Sequence, residues 1–126
     1  NAEVNDNFGR TVSISSDTIA VGVSGEASNQ TTITNGTTAS ADNSASFAGA
    51  VYVFKRTGTT WVQEAYLKAP NAEASDSFGF SVSISSDTIA VGAQNEDSNQ
   101  TTITNGTTAS ADNSASASGA VYVFRK

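Results

Sequence analysis

The sequence predicts an all-β protein whose antiparallel sheets stack as the blades of a β-propeller do. Residues 1–56 align with residues 71–126 without a gap, and 43 of the 56 aligned positions are identical. Each copy contains short β-branched runs separated by turn residues, a pattern typical of strands. Some of these runs are apolar on both faces, which indicates a sheet that is covered on either side.

The repeat divides the chain into two units, residues 1–70 and residues 71–126, and the second ends before a fourth strand. A unit of this kind cannot bury its own apolar faces and depends on its neighbours. Parallel β-solenoids also bury repeats serially, but their repeats are usually shorter. Closed propellers need about four to eight blades. We therefore expect a segment of a longer repeat protein, or copies that join into a ring or filament.

The strands of the first repeat can be placed in order. Phe8–Ser15 alternates apolar and small polar residues, Thr18–Gly22 is a β-branched run, and Ala50–Phe54 is apolar on both faces. Trp61–Leu67 follows as the fourth strand, and Pro70 closes the unit where it cannot disturb a ladder. The second repeat contains three equivalents, Phe78–Ser85, Thr88–Gly92 and Ala120–Phe124. No segment predicts a helix.

The apolar positions of these strands predict the packing between sheets. Phe8 and Phe78 are expected to anchor adjacent sheets, and Gly9 and Gly79 beside them to allow close backbone approach or a bend. The layer between blades is expected to contain Val12, Ile14, Ile19, Val21, Val51, Val53 and their equivalents in the second repeat. Trp61 and Tyr66 are expected to cap the outer edge of the first blade.

A long polar stretch separates the second and third strands of each repeat. Asn-Gly between Thr-rich flanks is a strong hairpin signal, because a type I′ turn needs positive φ at both central residues. We predict a two-stranded flap at residues 31–38 and again at 101–108. The stretches 28–46 and 98–116 are identical, which recent duplication or contact with one repeated partner would explain. The candidate interaction residues are Thr31, Ile33, Asn35, Gly36, Thr101, Ile103, Asn105 and Gly106.

Three motifs in each repeat resemble FG-GAP repeats, the blade repeats of the integrin α-subunit head and of many bacterial surface proteins. In the first repeat they are Asp6–Ile14, Ile19–Gly22 and Gly49–Phe54, and in the second Asp76–Val82, Ala90–Ala93 and Ser118–Phe124. The resemblance covers the whole chain. It implies a β-propeller that serves adhesion or ligand binding.

The chain departs from that family where many members carry an Asp-x-Asp-x-Asp-Gly calcium loop. The corresponding segments here are Ser15–Thr18 and Ser85–Thr88, and each contains one aspartate. A single carboxylate cannot replace the several oxygen ligands of calcium. A second candidate is a cation site formed by loop carboxylates, but we favour a solvated acidic loop. Those carboxylates are Glu26, Asp42, Glu96, Asp97 and Asp112. We expect no cofactor. Calcium is the ion that the loop carboxylates would suit if they bound one.

Composition excludes several functions. Cysteine and histidine are absent, which removes thiol nucleophiles, histidine dyads and disulfides. The formal net charge is −6 and the cations are scattered, which disfavours nucleic acid and anionic membranes. The longest apolar runs are far too short to span a membrane. No residue is predicted to be catalytic, and paired carboxylates alone do not make a glycosidase.

The sequence therefore predicts a non-catalytic repeat module of a secreted or cell-surface β-propeller, with a composition that suits a bacterial surface protein. Its task would be adhesion or protein–protein interaction. Expected partners are other copies of the chain, further repeats of a longer parent, a surface protein or a glycan. The alternative is a carbohydrate-binding propeller, although the aromatic residues Trp61 and Tyr66 occur in one repeat only.

Overall fold

The fold is entirely β across the part of the chain that the structure describes. The structure is a computed structural model that describes residues 3–126, so the first two residues of the first repeat lie outside it. Eight strands and no helix occur among these residues, which confirms the predicted all-β class. They are β1 Thr11–Ser15, β2 Thr18–Val23, β3 Thr34–Asn35, β4 Ala50–Thr57, β5 Thr60–Leu67, β6 Phe78–Ser85, β7 Thr88–Ala93 and β8 Ala120–Arg125. Nothing helical in residues 3–126 has the length and apolar character that crossing a membrane requires.

The strands form two antiparallel sheets, one from each repeat. The first sheet has the order β1-β2-β4-β5-β3 and the second has the order β6-β7-β8. The registers correspond, since Val21 lies opposite Tyr52 in the first sheet and Val91 lies opposite Tyr122 in the second. Both repeats therefore share the same three inner strands, and the first sheet adds β5 and β3 at one edge.

The first strand of each repeat begins at a different place. The predicted strand from Phe8 begins only at Thr11, whereas β6 begins at Phe78 as predicted. Phe78 pairs with Ala93 and also forms a parallel bridge to Gly49 of the first repeat. Phe8 has no such bridge among the described residues, so the ladder starts later there.

Each sheet has two faces, which we call face A and face B, because side chains alternate along a strand. Face A of the first sheet carries Val12, Ile14, Ile19, Val21, Tyr52 and Phe54, which lie opposite one another across the strand pairs. Its equivalents in the second sheet are Val82, Ile84, Ile89, Val91, Tyr122 and Phe124. Face B carries Ala20, Val51 and Val53 in the first sheet and Ala90, Val121 and Val123 in the second.

Face A of the second sheet packs on face B of the first sheet. The buried cluster between them contains Ala20, Val51, Val53, Ala65, Leu67, Phe78, Ile84, Ile89 and Val91, with Val82, Tyr122 and Phe124 packed against it. Val51, Val53 and Phe78 therefore lie between the blades, as predicted. Burial of this apolar surface is the main stabilising term at the junction.

The prediction was wrong for two sets of positions, because each set lies on a face that the other sheet does not cover. They are Phe8, Val12, Ile14, Ile19 and Val21 on face A of the first sheet, and Val121 and Val123 on face B of the second sheet. In the first set Phe8, Val12 and Ile14 are exposed, and only Val21 is buried. Phe8 packs on its own sheet, with its ring centroid 5.5 Å from that of Tyr52. A period-two strand sends alternate side chains to opposite faces, so one interface cannot bury both sets.

The predicted hairpin flaps do not form. In the first repeat the segment contributes only β3, which pairs with β5 through Thr34 and Asn35. In the second repeat residues 101–108 contain no strand. Positive φ occurs at Gly36 (97°) but not at Asn35, so the type I′ turn is absent. The Thr-rich flanks offer each other no apolar pairs, and the open edge of β5 satisfies the backbone better.

Candidate interaction surfaces

The junction between the repeats is formed by the insertion of Phe78-Gly79 into the backbone of the first sheet. The Phe78 amide donates to the Ala48 carbonyl at 3.1 Å. Gly79 lies at φ 84°, and a Cβ there would collide with the Ala50 carbonyl. A Cβ on Gly22 would collide with the Gly79 carbonyl oxygen. Only glycine fits this approach, so the predicted reason for Gly79 is confirmed.

Two serine hydroxyls of β1 set the register of the second repeat. Ser13 Oγ accepts a hydrogen bond from the Ile84 amide at 3.1 Å, and Ser15 Oγ accepts one from the Ser86 amide at 3.1 Å. Sequence reasoning treated these serines as the polar half of an alternating strand. Their recurrence at Ser83 and Ser85, on the face opposite the apolar residues, is the signal that could have identified them.

Face A of the first sheet is an exposed apolar surface. Phe8 is 55% exposed, Val12 57% and Ile14 61%, whereas the equivalents Phe78 and Ile84 are 0% and 7% exposed. A Cβ on Gly9 would meet nothing within 4 Å. The Phe8-Gly9 pair, which we call the plug, thus has the same positive φ at its glycine as Phe78-Gly79 (86° at Gly9), but no second sheet covers it.

Face B of the second sheet is the complementary exposed surface. Val121 is 72% exposed and Val123 64%, whereas their equivalents Val51 and Val53 are 0% and 2% exposed. Beside them lies an open cavity of about 390 Å³, which we call the socket. Its lining includes Gly92, Ala93, Ser118, Gly119 and Ala120, the equivalents of the residues that surround Phe78-Gly79 in the first sheet.

A buried ion pair lies at the end of β5. Lys68 Nζ is 3.0 Å from Glu26 Oε2 and donates to the Gly49 carbonyl at 2.6 Å, and both side chains are fully buried. Burial lowers the pKa of Lys68, and the Glu26 carboxylate opposes that shift. Burial also raises the pKa of the neighbouring Tyr66, with the Glu26 charge adding to it. Glu26 is thus a structural residue that links the long loop to β5.

The second repeat satisfies the equivalent glutamate without a lysine. Glu96 accepts hydrogen bonds from Asn71 Nδ2 at 3.0 Å and from the Ser98 amide at 3.1 Å. Tyr122 in turn donates to Asn71 Oδ1 at 2.7 Å. Asn71 belongs to the segment that joins the two sheets, so this network ties the long loop of the second repeat to the junction.

The other loop carboxylates stabilise loops. Asp42 accepts from the Asn29 and Ser44 amides, and Asp112 makes the same bonds to Asn99 and Ser114. The Ser114 hydroxyl, which also donates to Asp112, is the main cause of a lowered pKa at that carboxylate, and the Asn29 amide is the main cause of the lowered pKa of Asp42. Asp97 accepts from the Ala117 amide at 2.6 Å. Among residues 3–126, no three acidic side chains are grouped so that they could hold a metal ion. That these loops bind no cofactor remains a prediction.

The candidate flap residues differ in exposure between the repeats. In the first repeat the Gly36 amide donates to the Glu64 carbonyl at 2.7 Å, and Gln63 Nε2 donates to the Gly36 carbonyl at 3.1 Å and to the Thr38 carbonyl at 2.9 Å. Ile33 is half-exposed, whereas Ile103 is almost fully exposed. Thr31, Thr101, Asn105 and Gly106 are exposed as well. Their role in partner binding remains a prediction.

Antiparallel sheets that stack face to face through a Phe-Gly insertion define a β-propeller-type repeat protein. Residues 61–124, about half of the chain, match the family model described as FG-GAP repeat, and the match runs from β5 to β8. The chain therefore belongs to the FG-GAP repeat family, as its motifs predicted. No curated protein and no solved structure matches it.

Proposed function

We propose that the chain is a non-catalytic module of a secreted or cell-surface β-propeller, and that it acts in adhesion or protein–protein interaction through the exposed faces of its two sheets. The observation that supports this most is the exposure of Val121 and Val123 on one side and of Val12 and Ile14 on the other. Contiguous exposed apolar surface on a folded protein marks an interaction site. β8 is also an open edge strand, which favours association.

Sedimentation velocity of the 126-residue chain over a wide range of concentration tests this function. We expect concentration-dependent association, which the double substitution Val121→Ser/Val123→Ser should reduce strongly. Val4→Ser is the matched control, because it removes an exposed apolar side chain that lies outside both sheets. Circular dichroism would verify that each variant keeps its β content.

A wild-type chain that stays monomeric at every concentration would contradict an interaction role for these faces. Equal association of the wild type and the face variant would also contradict it. Binding to a glycan array by such a monomer, lost on Trp61→Ala, would instead favour the carbohydrate-binding alternative.

A further inference from the structure

We propose that the partner of these faces is a second copy of this chain, which docks head to tail so that its plug, Phe8-Gly9, enters the socket of the first copy. This inference rests on the proposed function and specifies its partner and geometry. Residues 3–126 contain one occupied junction, one plug that no other sheet covers and one open socket. The occupied junction shows how the plug and the socket fit together. The plug is the equivalent of Phe78-Gly79, and the socket is the equivalent of the first-sheet residues that surround that pair.

The socket retains the features that admit a Phe-Gly pair. Gly92 and Gly119 stand at the positions of Gly22 and Gly49, where a Cβ would collide with the inserted Phe78-Gly79 backbone. Ala120 corresponds to Ala50, whose carbonyl lies against Gly79. Glycine at these positions leaves room for a close backbone approach that larger residues would prevent.

The plug is already in its docking conformation. Phe78 meets Tyr122 edge to face with ring centroids 5.5 Å apart, and Phe8 meets Tyr52 in the same way at 5.5 Å. The two glycines have φ values of 84° and 86°. A preorganised surface loses less conformational entropy on binding, which favours association.

The polar contacts of the junction also recur. Ser83 and Ser85 are the equivalents of Ser13 and Ser15, whose hydroxyl oxygens accept hydrogen bonds from amides of the second repeat. Between two copies, Ser83 and Ser85 would accept hydrogen bonds from the Ile14 and Ser16 amides of the second copy. These bonds specify a register that apolar contact alone would leave free.

A cation–π contact would recur as well. In the chain, the Arg10 guanidinium lies 4.3 Å from the Phe80 ring centroid. Because Phe80 is the equivalent of Arg10 in the second repeat, the contact between copies would pair Phe80 of one copy with Arg10 of the other. The same attraction would then act at both junctions.

The contact between copies should be weaker than the junction within the chain. Among the described residues, the second sheet has no counterpart of β5. Ala65 and Leu67, which belong to the buried cluster between the two sheets, therefore have no equivalents on face B of the second sheet. Two separate chains also lose translational and rotational freedom when they associate. A heterologous interface of this type forms a ring if its rotation closes and a filament if it does not.

Complementation of two variants tests the geometry. Val12→Ser/Ile14→Ser removes face A contacts and leaves face B intact, and Val121→Ser/Val123→Ser does the reverse. In a head-to-tail contact neither variant associates alone, but an equimolar mixture forms a heterodimer that grows no further. The Val4→Ser variant should assemble as the wild type does, because Ala74, the equivalent of Val4, stays exposed at the occupied junction.

A symmetric contact gives the opposite pattern and would overturn this proposal while leaving an interaction function in place. In that case one variant dimerises alone and the mixture forms no heterodimer. A wild type that does not associate at all would overturn the proposed function itself. The two failures are therefore distinguishable by sedimentation velocity.

Cross-linking tests the register, because the chain has no cysteine of its own. A short bismaleimide should link Ser16→Cys chains to Ser85→Cys chains when the two are mixed, and should not link Ser85→Cys chains to one another. The double variant Ser15→Cys/Ser86→Cys is the internal control, because it places the same pair of positions across the existing junction. Links among Ser85→Cys chains alone would contradict the head-to-tail register.

Discussion

The two repeats have nearly the same sequence, yet they are buried in different ways. The run Ala50–Phe54 in β4 is buried at its first four positions, whereas the identical run Ala120–Phe124 in β8 alternates between half-buried and exposed. β2 is almost wholly buried, whereas the residues of β7 alternate between half-buried and buried. The first repeat has the second sheet on one face and β5 at its edge, and the second repeat lacks both. The burial of these identical strands is therefore set by the elements that pack beside them.

The largest expected contrast between the repeats is at the Phe-Gly motif. Phe78→Ala removes a fully buried ring from the junction and should lower the free energy of unfolding by about 3–5 kcal/mol. Phe8→Ala removes a half-exposed ring whose contacts are edge-to-face pairs with Tyr52 and Phe54, and should cost about 1 kcal/mol. Urea unfolding of the two variants measures the difference.

This comparison needs conditions in which the chain is monomeric, because association would bury Phe8. At higher concentration the Phe8→Ala variant should lose more stability relative to the wild type than it does when dilute. Equal effects of the two substitutions in dilute solution would show that the repeats are buried alike, contrary to the structure.

The next contrast concerns the buried glutamate of each repeat. Lys68→Met leaves Glu26 without its counter-charge in a fully buried site, which should cost about 3 kcal/mol. Glu26→Gln combined with Lys68→Met should recover much of that loss, because no charge then remains at this buried site. Thermal unfolding of the single and double variants measures the coupling.

Glu96→Gln is the matched variant in the second repeat. The Asn71 side chain donates to one carboxylate oxygen of Glu96 and the Ser98 amide donates to the other. Glutamine keeps only one acceptor oxygen, so one of these hydrogen bonds is lost and a cost of about 2 kcal/mol is expected. A loss as large as that of Lys68→Met would mean that the charge of Glu96 is needed as much as the ion pair of the first repeat.

Much of the fold was predictable from the sequence because strand signals are local. Period-two alternation and β-branched runs placed Thr88–Ala93 and Phe78–Ser85 to within a residue. The family motifs identified the Phe-Gly pair, whose close backbone approach requires glycine. Face assignment was harder, since alternation shows that Val12 and Val51 lie on strand faces without showing which face meets the next sheet.

The long loops were the least predictable part of the candidate site. The Asn35-Gly36 signal is local, but the segment pairs with β5, which follows about 30 residues later and exists only in the first repeat. The role of Lys68 was equally hidden, because its partner Glu26 is distant in sequence and looked like a loop carboxylate. Contacts across such separations depend on the assembled sheet.

A pH contrast distinguishes the junction from the loops. Burial raises the pKa of Asp76, at the start of the second repeat, to about 6, and neighbouring carboxylates add to the shift. The folded state therefore binds the proton more tightly than the unfolded chain, whose aspartates titrate near 3.8. Asp76 should contribute stability below about pH 4 that is lost as pH rises through about 6.

Asp76→Asn isolates this contribution, which should be on the order of 2 kcal/mol. The difference in free energy of unfolding between the wild type and the variant should favour the wild type more at pH 4 than at pH 7. Asp42 and Asp112 shift in the opposite direction, so their contribution is lost in acid, but it is common to both proteins and cancels. A difference that does not change with pH would contradict the shift at Asp76.

The smallest contrast, in the two identical loop segments, is visible in amide exchange. The Gly36 amide is bonded to the Glu64 carbonyl, whereas residues 101–108 have no strand to pair with. Gly36 should exchange at least several-fold more slowly than Gly106, because a hydrogen-bonded amide must open before it exchanges. NMR is the suitable measurement, since peptides from within the identical segments have the same mass.

Gln63→Ala should narrow that difference, since it removes the side-chain bonds that hold the Gly36 and Thr38 carbonyls against β5. The exchange of Gly106 should stay unchanged. Protection of both glycines in dilute wild-type protein would mean that each segment forms structure by itself, as an independent hairpin would. Protection of Gly36 alone would show that one sequence of 19 residues takes its conformation from the strand beside it.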